Sequence, residues 1–342
     1  MENLDINNNE QKNQKNENKN LFSAKFWLII LSVFYIISII QGFVIISKKE
    51  AQVSKFKNGL TESEKDLISS TFIEKESVGI IPVYGAIYQD SSSSFVERGS
   101  QLIVSKINQL AKDKKIKAVL LDINSPGGSV AAVQEIYSAI KKAKEQTKKP
   151  FVARFGEVSA SGGYYIASAC DKIVAQSGTI TGSIGVIFSL GNIEGLFKKI
   201  GVKSEVVKSG RYKDMGSMTR EMSKEEREIL QSMINDSYES FLNAVSQGRN
   251  IPKEKLKDIA DGRVFTGNQA LRLGLIDKIG DLQDAIDEAG ILSGLGKNPP
   301  VKKAKKYALD SLIDILDSKL ALPFLNKNSL NSPMLEYRWE SF

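Results

Sequence analysis

Three short clusters in this 342-residue chain place glycines beside a hydroxyl or a turn former. They are Asn124-Ser-Pro-Gly-Gly128, Ser159-Ala-Ser-Gly-Gly163 and Thr181-Gly-Ser-Ile-Gly185. Paired glycines let backbone N–H groups approach a ligand closely. Such donors can stabilise the negative charge that grows on a carbonyl oxygen under attack. Gly127 and Gly128 suit that task; a tight strand-to-helix turn is the plain alternative. Ser161, followed by Gly162, would set a hydroxyl next to a backbone donor, the layout of an acyl-transfer nucleophile. Here the plain alternative is a helix-capping serine, because serine favours that position. Ser183 in the third cluster could hold a polar partner or sit in a simple turn.

A serine nucleophile needs a base. The chain contains no histidine, which removes every Ser-His-Asp and Cys-His arrangement and the His-containing zinc sites. Lysine, aspartate, glutamate and tyrosine remain. A lysine would have to fall from about 10.4 to about 7–8. That costs about 4 kcal/mol, which burial in an apolar site can impose. With 47 lysines and arginines, composition does not select one. The single cysteine, Cys170, lies in the apolar run Tyr164–Cys170 and reads as a small buried core residue.

The elements that must position these clusters can be read from periodicity. Val78–Ile87 and Ala118–Asn124 read as strands, the second fully buried. Ser129–Glu145 is helical, with Val130, Val133, Ile136, Tyr137 and Ile140 on one face. Pro150–Ala153 opens another strand, Ser161–Ala169 reads as a helix and Lys172–Ala175 as a short strand. The first two clusters thus fall between a strand and a helix. Ser223-Lys-Glu-Glu226 is a capping box opening a long helix, striped by Leu230, Ile234, Phe241 and Val245. Alternating strands and helices predict an α/β fold with a partly parallel sheet.

Outside this region, residues 1–25 are polar and read as disordered. Phe26–Ile46 is uncharged and long enough to cross a bilayer. It ends in Ser47-Lys-Lys-Glu50 without a small-residue cleavage pattern, so a retained anchor is expected rather than a cleaved leader. Four lysines precede it (Lys12, Lys15, Lys19, Lys25) and four follow (Lys48, Lys49, Lys55, Lys57), so charge alone does not orient it. Residues 47–76 read as a linker. Beyond Gly290, the Lys302–Lys306 run reads as a solvated linker, followed by a short amphipathic helix through Leu309, Leu312, Ile313, Leu316 and Leu320. The net charge of +7 comes with no aromatic-interleaved basic stripe, so nucleic acid is not an expected partner.

The domain at 77–290 resembles the signal peptide peptidase A (SppA) family of serine peptidases. The resemblance rests on the three clusters together with Tyr164-Tyr165, Val186, Lys208-Ser-Gly-Arg-Tyr-Lys-Asp214, Asp261-Gly-Arg-Val-Phe-Thr-Gly267 and Gly274-Leu-Ile-Asp277. It implies a Clp protease/crotonase-like fold behind one N-terminal transmembrane helix. It implies Ser161 as nucleophile, Lys213 as general base and Ser183 as the hydroxyl that orients the lysine. Gly128 and Gly162 would be oxyanion donors, with Gly127 shaping the turn. Lys208 is the rival base; its plain reading is a solvated strand end. The family implies peptide substrates, remnant signal peptides among them, and neither metal nor organic cofactor. It also implies a single-pass cell-membrane protein, an N-terminal tail in the cytoplasm, a catalytic domain outside it, and a homo-octameric ring whose neighbours help build each site. A crotonase-like acyl-CoA enzyme and an inactive membrane scaffold are the alternatives.

Overall fold

The computed structural model of the protein describes residues 35, 41, 75–89, 99–304 and 335–339. The chain divides into two compact units, 1–74 and 75–342, and the sheet and its helices belong to the second. Apart from Tyr35 and Gln41, the expected span at 26–46 lies outside the described residues, as do nearly all of the linker at 47–76 and the helix at 309–320. Among the described residues, no helix is long and apolar enough to cross a membrane.

The centre is a mixed, mainly parallel sheet. Strand β1 (Ser77–Tyr84) pairs in parallel with β2 (Ile116–Ser125), and β2 with β4 (Phe151–Ala160). The lower part of β4 pairs with β5 (Lys172–Ala175), and its upper part with β6 (Ile180–Gly182). Strand β7 (Val264–Thr266) closes one edge antiparallel to β6, and β8 (Lys278–Ile279) joins β5. Strand β2 reads Ile-Lys-Ala-Val-Leu-Leu-Asp-Ile and is apolar on both faces, as a central parallel strand must be. Alternation sends Val119, Leu121 and Ile123 into the larger core and Ala118 and Leu120 into a smaller one.

The larger core is filled by α1 (Gly99–Lys112), α2 (Val130–Thr147), the short α3 (Gly162–Ala167) and α5 (Lys224–Arg249), through residues such as Ile107, Ile136, Tyr164 and Phe241. The smaller core is capped by Ala285, Ile286 and Ala289 of α8 (Leu282–Leu292). Cys170 is buried in the larger core, and burial pushes its thiol up to about 12. It is the inert core residue the sequence suggested. Helices α4 (Glu194–Ile200), α6 (Lys253–Lys257) and α7 (Gly267–Arg272) complete the set.

Two segments after Gly290 differ from the linker reading. Val301–Lys303 forms edge strand β9, parallel to β1. Its basic run therefore begins inside the sheet, with Lys302 Nζ 3.0 Å from the Asp113 carboxylate. Lysine on an exposed edge discourages pairing with other chains, so the same composition serves a strand as readily as a linker. Further on, β10 (Glu336–Arg338) pairs antiparallel with the three-residue β3 (Gly127–Ser129).

Candidate active site

The three glycine clusters converge at one end of the sheet. Ser125 is in register with Ser159, Ser159 with Thr181 and Ala160 with Gly182 across β2, β4 and β6. Ser161 and Ser183 each follow directly on the last of these pairs. Both leave the sheet at its C-terminal edge, where open parallel sheets bind ligands. Buried hydroxyls lock the strand ends: Ser159 Oγ donates to the Ile123 carbonyl (2.7 Å) and Thr181 Oγ1 to the Ser159 carbonyl (2.7 Å).

Ser161 stands at the start of α3 but does not cap it. Its side chain makes no capping hydrogen bond, and its backbone is held at φ 52, ψ −114. The Ser161 N–H donates to the Gly182 carbonyl at 2.8 Å, and the Tyr165 N–H donates to the Ser161 carbonyl at 2.8 Å. Ser183 is also at positive φ, 50°, fixed by its N–H donating to the Arg263 carbonyl at 2.8 Å. Non-glycine residues in such conformations cost about 1–3 kcal/mol each and cluster at functional sites.

The glycines face a common space. Gly127 has φ +101, and its N–H donates to Ser125 Oγ at 3.1 Å. A Cβ at Gly128 would meet the Ile87 carbonyl oxygen at 2.0 Å, so only glycine fits there. Against this strand lies the chain's own C-terminal segment. The Trp339 N–H donates to the Pro126 carbonyl (2.8 Å) and the Val130 N–H to the Leu335 carbonyl (3.1 Å). Antiparallel ladders alternate bonded and non-bonded pairs. Gly128 and Tyr337, midway between those two contacts, are therefore a bonded pair that exchanges N–H···O bonds. On the segment's other side, Glu336 and Ile187 exchange hydrogen bonds of 3.1 Å each. A Cβ at Gly127 would lie 1.9 Å from the Tyr337 carbonyl oxygen, and one at Gly162 would lie 3.0 Å from it. That oxygen sits against all three glycines. Nothing in the composition of Leu335–Trp339 announced this placement.

Comparison with known proteins places the sequence in a family. The model of peptidase family S49 matches residues 143–296, and that of the NfeD1b N-terminal domain matches residues 77–199. A protein of Synechocystis sp., provisionally named a protease, is 50% identical over 219 residues, covering 64% of this chain and 76% of its own. A protein of Enterococcus faecium, provisionally named signal peptide peptidase SppA, is 36% identical over 269 residues, covering 76% of each. The chain belongs to peptidase family S49, the SppA peptidases. Protease 4 of Salmonella typhi, 36% identical over 218 residues, is matched over only 35% of its length.

As an S49 member the chain is a serine protease, and the remaining candidates can be placed on its surface. Lys213 lies on an exposed turn, its N–H donating to the Gly210 carbonyl at 3.2 Å. Among the described residues no hydrogen bond joins its side chain to Ser161 or Ser183. The structure thus gathers Ser161, Ser183, Gly127, Gly128 and Gly162, and leaves Lys213 unjoined to them within one protomer. Lys208, the rival base, is committed elsewhere: its Nζ is 2.5 Å from Asp214 Oδ1.

A network that sequence reading missed anchors this S49 turn. Arg220 donates to Asp214 through Nε (2.9 Å) and to Glu226 through both terminal nitrogens (2.6 and 2.9 Å). Glu226 also accepts the Ser223 N–H at 2.9 Å, completing the capping box of α5. Arg220 and then Lys208 hold Asp214 well below the usual carboxylate range, and Arg220 lowers Glu226 to about 2. The residue next to Lys213 is thereby tied to the start of a 26-residue helix. The Asp214-x5-Arg220-x5-Glu226 spacing was visible in the sequence, but nothing there said that these charges meet.

Proposed function

We propose that the protein is a membrane-anchored serine endopeptidase with a Ser161–Lys213 dyad. In this reading neutral Lys213 accepts the Ser161 proton as the hydroxyl attacks a peptide carbonyl, and an acyl-enzyme forms. The N–H groups of Gly128 and Gly162 hold the oxyanion, Gly127 shapes the turn between them, and Ser183 orients the lysine. The ammonium then protonates the leaving amine, and water frees the acyl group. The observation that carries the reading is the backbone of Ser161, strained and uncapped between two glycine clusters at one sheet edge.

Lys213 is assigned to a neighbouring copy's site. Supporting this, its turn is exposed, and the segment around it shows water Leu196, Ile200, Val206, Val207 and Tyr212. So many large apolar side chains exposed in one segment favour an interface there. A ring, octameric as in single-domain SppA peptidases, would cover it. Remnant signal peptides are the proposed substrates, reached from an anchor at residues 26–46 with the catalytic domain outside the cytoplasm. The domain itself, at 77–290, is assigned the Clp protease/crotonase-like fold. Hydrolysis of a signal peptide by the full chain in detergent tests the reading. Ser161→Ala and Lys213→Ala should each abolish turnover; full activity of Lys213→Ala would remove lysine 213 from the mechanism.

A further inference from the structure

The end of the sheet opposite the active site is lined with lysine. Strands β2 and β4 begin there, at Ile116 and Phe151. The turns leading into them read Lys112-Asp-Lys-Lys115 and Lys148-Lys-Pro150. Lys149 locks the two turns together: its Nζ donates to the carbonyls of Leu110 (3.2 Å), Ala111 (2.6 Å) and Asp113 (2.7 Å). It thereby satisfies carbonyls left open at the end of α1, and burial lowers its pKa. Two carboxylates at this end are already paired, Asp113 with Lys302 (3.0 Å) and Glu76 with Lys117 (2.9 Å).

Four lysines are left over. Lys112, Lys114, Lys115 and Lys148 are exposed, and among the described residues none of them has an ion pair. Lys141 and Lys142 of α2 add two more exposed cations, against the exposed Glu145. A helix end favours cations, which accounts for Lys112, but Lys114 and Lys115 lie beyond α1. Lys148 stands at φ 57, ψ 16, the left-handed cap that glycine takes without strain. Closing α2 therefore does not call for a lysine there. All six are lysine and none is arginine. Ammonium groups on flexible stems act as point charges, which suits a mobile layer of phosphates better than one fixed bidentate partner.

We propose that this face docks on an anionic phospholipid surface and holds the catalytic domain with Ser161 on the side away from the headgroups. Clustered lysines are drawn to such a surface by charge, over about one Debye length. The N-terminal part of the chain enters the domain at this same end, because Ser77 opens β1 in register with Ile116. An anchor at 26–46 would deliver this face to the membrane, and to that extent the inference rests on the anchor proposed above. Strand β4 is 10 residues long and Ser161 follows its last residue. The nucleophile would then stand roughly 30 Å above the headgroups, so a signal peptide has to leave the bilayer before it is cut.

Limited acetylation of the full chain in nanodiscs, followed by peptide mass mapping, tests this. Discs of phosphatidylcholine are compared with discs of equal parts phosphatidylcholine and phosphatidylglycerol. In the anionic discs at low salt, Lys114, Lys115 and Lys148 should react several-fold more slowly than in the neutral ones. Lys224 and Lys255, exposed elsewhere, should react alike in both. High salt should erase the difference. Soluble glycerophosphoglycerol, the free headgroup, should give no protection; protection equal to that of the discs would mean a small-anion site and overturn the docking surface. The double variant Lys114→Glu/Lys115→Glu should lose the protection at Lys148 and still hydrolyse a soluble peptide at the wild-type rate, since neither residue belongs to the active site. Protection retained at Lys148 in that variant would overturn the proposal. If the chain stays in neutral discs and the three lysines react alike in both lipids, the inference fails and the anchor stands. If the chain leaves neutral discs but these lysines are protected on phosphatidylglycerol vesicles, the anchor fails and the inference stands.

Discussion

Ser161 combines a side chain with a backbone that glycine would prefer. Elsewhere in a folded chain, replacing alanine by glycine costs stability. At φ 52, ψ −114 the order should reverse: Ser161→Gly should unfold at higher denaturant than Ser161→Ala, by about 1 kcal/mol, with both inactive. Equal stability, or alanine the more stable, would mean that the turn is not strained. Gly127 makes the complementary demand for space. Gly127→Ala would put a methyl 1.9 Å from where the bound carbonyl oxygen lies and 2.6 Å from the Gly162 nitrogen. Peptide hydrolysis should fall at least about a hundredfold, the scale of losing one oxyanion donor; near-normal turnover would move the oxyanion site elsewhere. The choice between nucleophile and helix cap at Ser161 was not legible in the sequence, because both roles want serine before a helix. Two dihedral angles and a missing capping bond set the cap aside.

Among the elements, the turn carrying Lys213 depends on the start of α5. Removing Arg220 as Arg220→Met should free Asp214 and Glu226 from each other. Hydrogen exchange over 202–222 should rise and hydrolysis fall at least about tenfold, the cost of misplacing a catalytic group, while the sheet core keeps its protection. Unchanged exchange there would show that Arg220 does not hold the turn. Acid should act on the same network. Glu226 is lowered from an ordinary 4.5 to about 2, so its stabilisation is complete above pH 4.5 and is lost as pH falls toward 2. Exchange over 202–222 in the wild type should therefore rise through that window, and should do so less in Glu226→Gln, which is already loosened. Strand β2, helix α2 and the capping box were legible because their period or local chemistry is self-contained. Strand β4 runs to Ala160, well beyond the opening read at Pro150–Ala153, through Arg154, Gly156 and Glu157. Those residues break the apolar pattern, and pairing of β4 with β2, β5 and β6 carries the strand through them. Strands β9 and β10 have three residues each and owe their existence to distant partners, which local propensity does not encode.

For the whole molecule, we propose a protomer that carries Ser161 with its glycine cradle and offers its exposed Lys213 turn to a neighbouring copy. Head-to-tail association closes such a molecule into a ring. Co-assembled Ser161→Ala and Lys213→Ala subunits should then recover activity, to about a quarter of wild type at equal mixing if each site takes its serine and its lysine from different chains. No recovery in mixed oligomers of the wild-type size would place both residues in one chain. The parallel sheet and its site-bearing edge were foreseeable from the alternation of strands and helices. The occupancy of that edge by Leu335–Trp339 was not, since it joins residues some two hundred positions apart. The central claim is that Ser161 is the nucleophile and Lys213 its base. Treatment of the assembled full chain with an acylating serine-hydrolase probe, followed by peptide mass mapping, addresses it directly. The account predicts one adduct, on Ser161, formed by the wild type and lost in Lys213→Ala. An adduct on another residue, or full-rate labelling of Ser161 in Lys213→Ala, would contradict it.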